Sequence, residues 1–343
     1  MSRAPLSIVV PITVTVLLAA MVVATACGAE PLPIPAVLEV LRGHLGGADA
    51  LDSAVDTIVW QLRVPRTILA AVVGAGLALA GTAMQTLVRN PLADPYLLGV
   101  SSGAGVGAAA VITSGFFAAA GIWALSGGAL IGALVAAATV FAVTIAQGGL
   151  TPLRLVLTGT VLGSAFSALS SYLIFRSADP KAAQSVLFWL LGSLAGADWT
   201  RIALPATVVG LAAVALLSLH RWLDALSVGA DTAASVGVPV RALRHGLFIG
   251  LAVLVGVLVA VSGGIGFVGL VVPHAARMLV GSAHRRLLPV GALFGAVFLV
   301  LADSAARVLV RPTEIPVGVL TGLIGAPVFL VLMGRRRYRF GAA

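Results

Sequence analysis

Arg63 and Arg66 flank Pro65 at the head of a long apolar run, and Arg307 stands four residues after Asp303 near the end of another. A guanidinium grips a carboxylate or phosphate through paired hydrogen bonds, so the chemistry available here is anion capture. Pro65 suits the first turn of a helix. Cations there are disfavoured by about 0.3–1 kcal/mol, so Arg63 and Arg66 need an acidic partner or lipid headgroups. For Arg307 two readings stand side by side. One is an i,i+4 pair with Asp303 on a single helix face. The other is a functional charge, because charge close to a bilayer is expensive.

Other chemistry is absent by residue type. Lys181 is the only lysine, in Asp179-Pro180-Lys181-Ala182. A P-loop needs a lysine after its second glycine to reach phosphates, so any ATP hydrolysis that drives this protein belongs to another polypeptide. Cys27 is the only cysteine, which excludes an intrachain disulfide and a cysteine metal cluster. His274 follows Pro273, one turn from Arg277, with no second histidine or acid at metal-ligand spacing. A structural hydrogen bond is preferred there over a proton relay. No catalytic set, metal site or resident cofactor is expected.

Two further stretches stand out. Asn90-Pro91-Leu92-Ala93-Asp94-Pro95 breaks helix twice. It makes at least a turn, and the repeated breakage also suits a constriction that opens. In the loop over 225–244, Asp231 is placed to cap a helix running to Val236. Gly237 can end that helix and Pro239 prevents its continuation. A short surface helix of this kind suits a partner that grips the protein.

These residues sit among elements of one kind. Of the 343 residues 60% are hydrophobic and 10% charged, against about 25% charged in soluble domains. Residues 95–153 contain no Asp, Glu, Lys, Arg or His. A helix needs about 20 apolar residues to cross about 30 Å of hydrocarbon. The runs predict an all-α, polytopic membrane protein, a single transmembrane domain over 1–343. Ten helices are expected at 6–28, 63–87, 95–113, 118–147, 152–175, 200–220, 241–262, 267–281, 287–309 and 316–334. The first is read as a retained helix and not a cleaved signal.

Placing the first residues in the cytoplasm puts 13 of the 21 bases and three of the 12 acids on that side. Cytoplasmic loops are enriched in Lys and Arg, so both termini are expected there. The run Arg335-Arg336-Arg337-Tyr338-Arg339 reads as an anchor to anionic lipid. The net charge of +9 is spread over helix ends, and no soluble basic domain offers itself to nucleic acid. In each half a long helix is followed by a short segment interrupted by Gly or Pro, starting from opposite sides. That pattern marks inverted repeats around a transport pathway. Helix packing through small residues accounts for most of the 40 glycines.

In order along the chain stand Arg63-Val64-Pro65-Arg66-Thr67, Gly81-Thr82-Ala83-Met84-Gln85, Asn90-Pro91-Leu92-Ala93-Asp94-Pro95 and Leu98-Gly99-Val100-Ser101-Ser102-Gly103-Ala104. They are followed by Gly266-Phe267-Val268-Gly269-Leu270, Pro273-His274, Leu301-Ala302-Asp303 and Gly325-Ala326-Pro327. Together they resemble the permease subunit of binding-protein-dependent, type II ABC importers, the family that handles ferric siderophores, haem and cobalamin. The likeness runs from about residue 58 to 334. It implies ten helices per subunit, a homodimer around a central pathway, two cytoplasmic ATP-binding subunits carrying ATP and Mg, and an extracytoplasmic binding protein. It implies residence in the plasma (inner) membrane of a bacterium.

By the same resemblance Arg63, Arg66 and Arg307 receive carboxylates of the binding protein. Asn90 and Leu92 match an inner gate turn. Thr151 and Pro152 fall at a second gate, where relatives often have small hydroxyl residues. The segment holding Asp231, Ala234 and Gly237 resembles the coupling helix that enters a cleft of the ATPase. A ferric siderophore is the leading substrate, with cobalamin, haem or another cofactor precursor as the alternative. A proton-coupled secondary transporter would need an acid or histidine inside the spans, and Asp303 is the only nearby acid. A membrane enzyme would need a nucleophile–base pair or a metal cluster there, and neither is evident.

Overall fold

A computed structural model describes residues 4–28, 30–46, 54–115 and 117–334. Arg3 and the arginine run 335–339 lie outside the described residues. Fourteen α-helices are named here: α1 Leu6–Ala26, α2 Ile34–Leu45, α3 Val64–Leu87, α4 Val100–Ser114, α5 Ala124–Ala146, α6 Pro152–Arg176, α7 Pro180–Leu190, α8 Ala203–Ser218, α9 His220–Val228, α10 Ala230–Ser235, α11 Val240–Ser262, α12 Val268–Val280, α13 His284–Val308 and α14 Val317–Gly334. Seven helices among the described residues are long and apolar enough to cross a membrane. Three shorter apolar ones, α4, α12 and the 317–331 part of α14, bring the set to the ten expected.

Two groups of hydrogen bonds tie connecting segments together at opposite ends. At one end Ala4 N donates to Leu279 O, Arg89 Nη2 to Val228 O and Arg244 Nη1 to Leu150 O. At the other, Arg63 reaches the carbonyls of Thr25 and Ala26, Arg201 that of Ile122, and Trp199 that of Trp60. The first group holds the segments rich in arginine and is called the arginine-rich end below.

The halves exchange partners. α3 packs on α12 and α13 of the second half, while α11 packs on α4 and α5 of the first; α4 pairs with α5 as α12 does with α13. Swapping α3 with α11, α4 with α12 and α5 with α13 therefore preserves the pattern. Glycines set the closeness of these seams. Gly103 and Gly107 of α4 meet Gly132 and Gly128 of α5, so a methyl on any of them strikes the facing helix. A Cβ at Gly81 of α3 would fall on the Gly269 carbonyl of α12. Backbone-to-backbone approach of this kind is how helices associate in lipid, where apolar burial gives no drive.

Several boundaries differ from those expected. The second span begins at Ala54 rather than 63 and runs without a break to Leu87. Its stretch Thr57–Arg63 is π-helical, with Val64 N bonded to Val59 O. Pro65 has no N–H to give the preceding turn, and a widened register relieves that loss. Arg63 and Arg66 thus lie inside a helix, and the helix-end penalty does not apply. α4 begins at Val100 because Gly99 is left-handed (φ 71°) and ends a 3-10 turn over Pro95–Leu98. A second 3-10 stretch, Ala118–Trp123, delays α5 to Ala124.

Candidate functional site

At the end opposite the arginine-rich one, the second span, α13 and the loop after α13 bring three arginines and two acids together. Arg66 Nε and Nη2 donate to Asp303 at 2.9–3.1 Å, and its Nη1 donates to both oxygens of Glu314 at 2.9 and 3.2 Å. Arg307 Nε lies 3.1 Å from Asp303 Oδ2, so the i,i+4 pair is present. Its Nη1 donates to the Cys27 carbonyl at 2.9 Å. Asp303 and Arg307 are 1% and 3% exposed, and Arg66 8%. Desolvation on this scale is tolerated only where each charge is paired and hydrogen-bonded.

Arg63 is held differently. It donates to the carbonyls of Thr25 and Ala26 at 3.1 and 2.9 Å, and to that of Glu30 at 2.6 Å. Thr25 and Ala26 close α1, and the C-terminal end of a helix is the natural seat of a cation. Of the three arginines, Arg63 is the half-buried one. Asp303 was legible as a partner of Arg307. Its bond to Arg66, 237 residues away in sequence, was not, nor was the part of Glu314.

At the arginine-rich end, the turn after α3 is locally built. Asn90 Oδ1 accepts from Leu92 N at 2.9 Å, and Arg89 is left-handed (φ 52°). Asp94 Oδ1 accepts from Tyr96 N at 2.8 Å. Burial pushes the Asp94 carboxyl above the usual carboxylate range, and that hydrogen bond only partly offsets it. Thr151 and Pro152 open α6. Thr151 lines a cavity of about 560 Å³ with Gly148, Gly149, Arg241 and Arg244. Among the described residues no hydrogen bond joins Asn90 or Leu92 to Thr151 or Pro152.

The segment after α9 forms the short helix α10, with Asp231, Ala234 and Gly237 exposed. Asp231 is not its cap. Gly229 holds that place with an extended backbone, and Asp231 sits in the first turn. Gly237 ends it, left-handed at φ 82°, with Gly237 N and Val238 N bonded to the Ala234 and Ala233 carbonyls at 3.0 Å. Ala233 and Val238 are buried, while Val228 and Val236 are 66% and 67% exposed. The segment is thus anchored on one side and presents apolar side chains on the other. Its base is tied to α13: Asp224 Oδ1 accepts from His284 Nδ1 at 2.6 Å, and His284 Nε2 lies 2.8 Å from Thr86 Oγ1. His274 is buried beside Arg277, which donates to Gln85 Oε1 at 2.9 Å.

Sequence reasoning also missed α2, α7 and an aromatic stack in which His44 lies face to face on Trp60, 4.1 Å away. The signal for α2 was present: Pro33 before Ile34, then Val37, Val40 and Leu41 at helical spacing. Among the described residues no group of three His, Cys, Asp or Glu is placed to hold a metal ion.

A bundle of apolar helices with exchanged halves and glycine seams is the architecture of a polytopic membrane protein. The chain belongs to the FecCD transport family, which matches residues 16–335, and is a type II importer permease subunit. It is 40% identical over 314 residues to the uncharacterized ABC transporter permease protein YvrB of Bacillus subtilis, covering 90% of this chain and 88% of that one. It is 43% identical over 284 residues to the cobalamin import system permease protein BtuC of Halobacterium salinarum, covering 82% and 74%. A solved metal-chelate type ABC transporter in an inward-facing conformation superposes with a TM-score of 0.84 at 34% identity, over 96% of this chain and 99% of that one.

Proposed function

We propose that two copies of this chain enclose a pathway for a large metal chelate, delivered by a binding protein and moved by two ATPase subunits. The metal chelates in view are ferric siderophores and cobalamin. The observation that carries this reading is the family match across residues 16–335 together with relatives named for cobalamin and metal chelates. The arginine-rich end faces the cytoplasm, as the positive-inside rule requires. The ATPase grips α10 together with Val228 and Val236, which flank it and are strongly exposed. Asn90, Leu92, Thr151 and Pro152 close the pathway at that end. Arg63, Arg66 and Arg307 mark the docking end for the binding protein, with Arg63 the most accessible. A proton-coupled carrier is disfavoured because Asp303, the acid inside α13, is occupied by two arginines.

The test is reconstitution in liposomes with an ATPase and a binding protein of the same organism. Uptake of radiolabelled cobalamin or ferric siderophore should require ATP and both partners, and the permease alone should hydrolyse none. Uptake driven by a proton gradient without ATP would overturn this reading.

A further inference from the structure

Glu314 stands apart from the other residues of the outer cluster. Asp303 is enclosed at 1% exposure, whereas the Glu314 side chain is 39% exposed, in the loop between α13 and α14. It takes both of its hydrogen bonds from one nitrogen, Nη1 of Arg66. Arg66 gives its remaining Nε and Nη2 contacts to Asp303. A carboxylate arriving from outside therefore meets an Arg66 whose outer donor is already filled by a carboxylate of the same chain. The cluster of Arg63, Arg66, Arg307, Asp303 and Glu314 carries a net charge of +1, and it would carry +2 without Glu314.

We infer that Glu314 is an internal stand-in for the docking carboxylate: it occupies Arg66 in the free permease and yields that position when the binding protein arrives. The inference rests on the docking reading proposed above. An exposed acid paired with a mostly buried arginine is the exchangeable partner, because water screens it and it regains solvation on release. Exchange keeps Arg66 paired throughout, so its buried charge never stands alone. Glu314 also sets a threshold, since a partner must present a carboxylate that competes with it.

The experiment measures binding-protein affinity for the full permease–ATPase complex in nanodiscs across a salt series. Three permeases are compared: the parent, Glu314→Gln and Arg63→Glu. Glu314→Gln should bind about two- to fivefold tighter at low salt, as expected for removing one partly exposed competing charge. Its affinity should fall more steeply with salt. Arg63→Glu should bind more weakly than the parent. If Arg63→Glu weakens binding while Glu314→Gln binds equally or more weakly, the docking reading stands and the stand-in role is overturned. If Arg63→Glu binds like the parent, the docking reading falls, and the stand-in role falls with it. If Glu314→Gln fails to assemble, Glu314 is a folding residue, which also overturns the inference.

Discussion

Asp303 is the residue on which the end opposite the arginine-rich one depends. It is shared by Arg66 and Arg307, on two different helices, with almost no access to water. Removing one member of a buried ionic group costs about 3–5 kcal/mol, because the survivors stay desolvated and unpaired. Asp303→Asn should therefore lower the thermal unfolding midpoint of the purified permease markedly. Arg307→Gln combined with it should cost less than the sum of the two single changes, since they disturb one network. Glu314→Gln should leave the midpoint nearly unchanged by comparison. How much of this was legible follows from distance along the chain. The Asp303–Arg307 pair obeys helix periodicity and could be read from spacing. The bond from Arg66 depends on how α3 packs on α13, which no local pattern encodes. The arginines at an apparent helix start looked electrostatically misplaced only because the helix was read as starting there. The π-helical stretch before Pro65 removes that conflict.

At the scale of elements, hydropathy was enough to find the ten apolar helices among the described residues, because lipid permits few other ways to satisfy a backbone. What it could not find were helices held at the surface. α2 and α7 are short and amphipathic, and their existence depends on the faces they cover. The case of α10 is mixed: Gly237 was correctly placed as its end, and Asp231 was wrongly assigned its cap. At φ 82° Gly237 is in a conformation that proline cannot reach and other side chains enter with strain. Gly237→Pro should leave membrane insertion intact, since the segment lies outside the spans. It should reduce co-purification of the ATPase and slow transport several-fold. Full transport by that variant would separate α10 from coupling.

For the whole molecule, the proposed pathway lies between two copies, so its gate can be tested only across them. Cysteines at Asn90 and Thr151, introduced singly in a Cys27→Ser background, should crosslink between subunits in one nucleotide state of the complex and block substrate release. Absence of crosslinks in every state would move the constriction elsewhere. Lys181 is the only lysine and lies exposed near the start of α7, away from the arginine-rich end. The chain thus carries one side-chain amine, on one face. A bulky amine reagent that cannot permeate the bilayer becomes a compass for the unaltered protein: modification of Lys181 in sealed cells or vesicles reports which way the permease points, with no engineered tag.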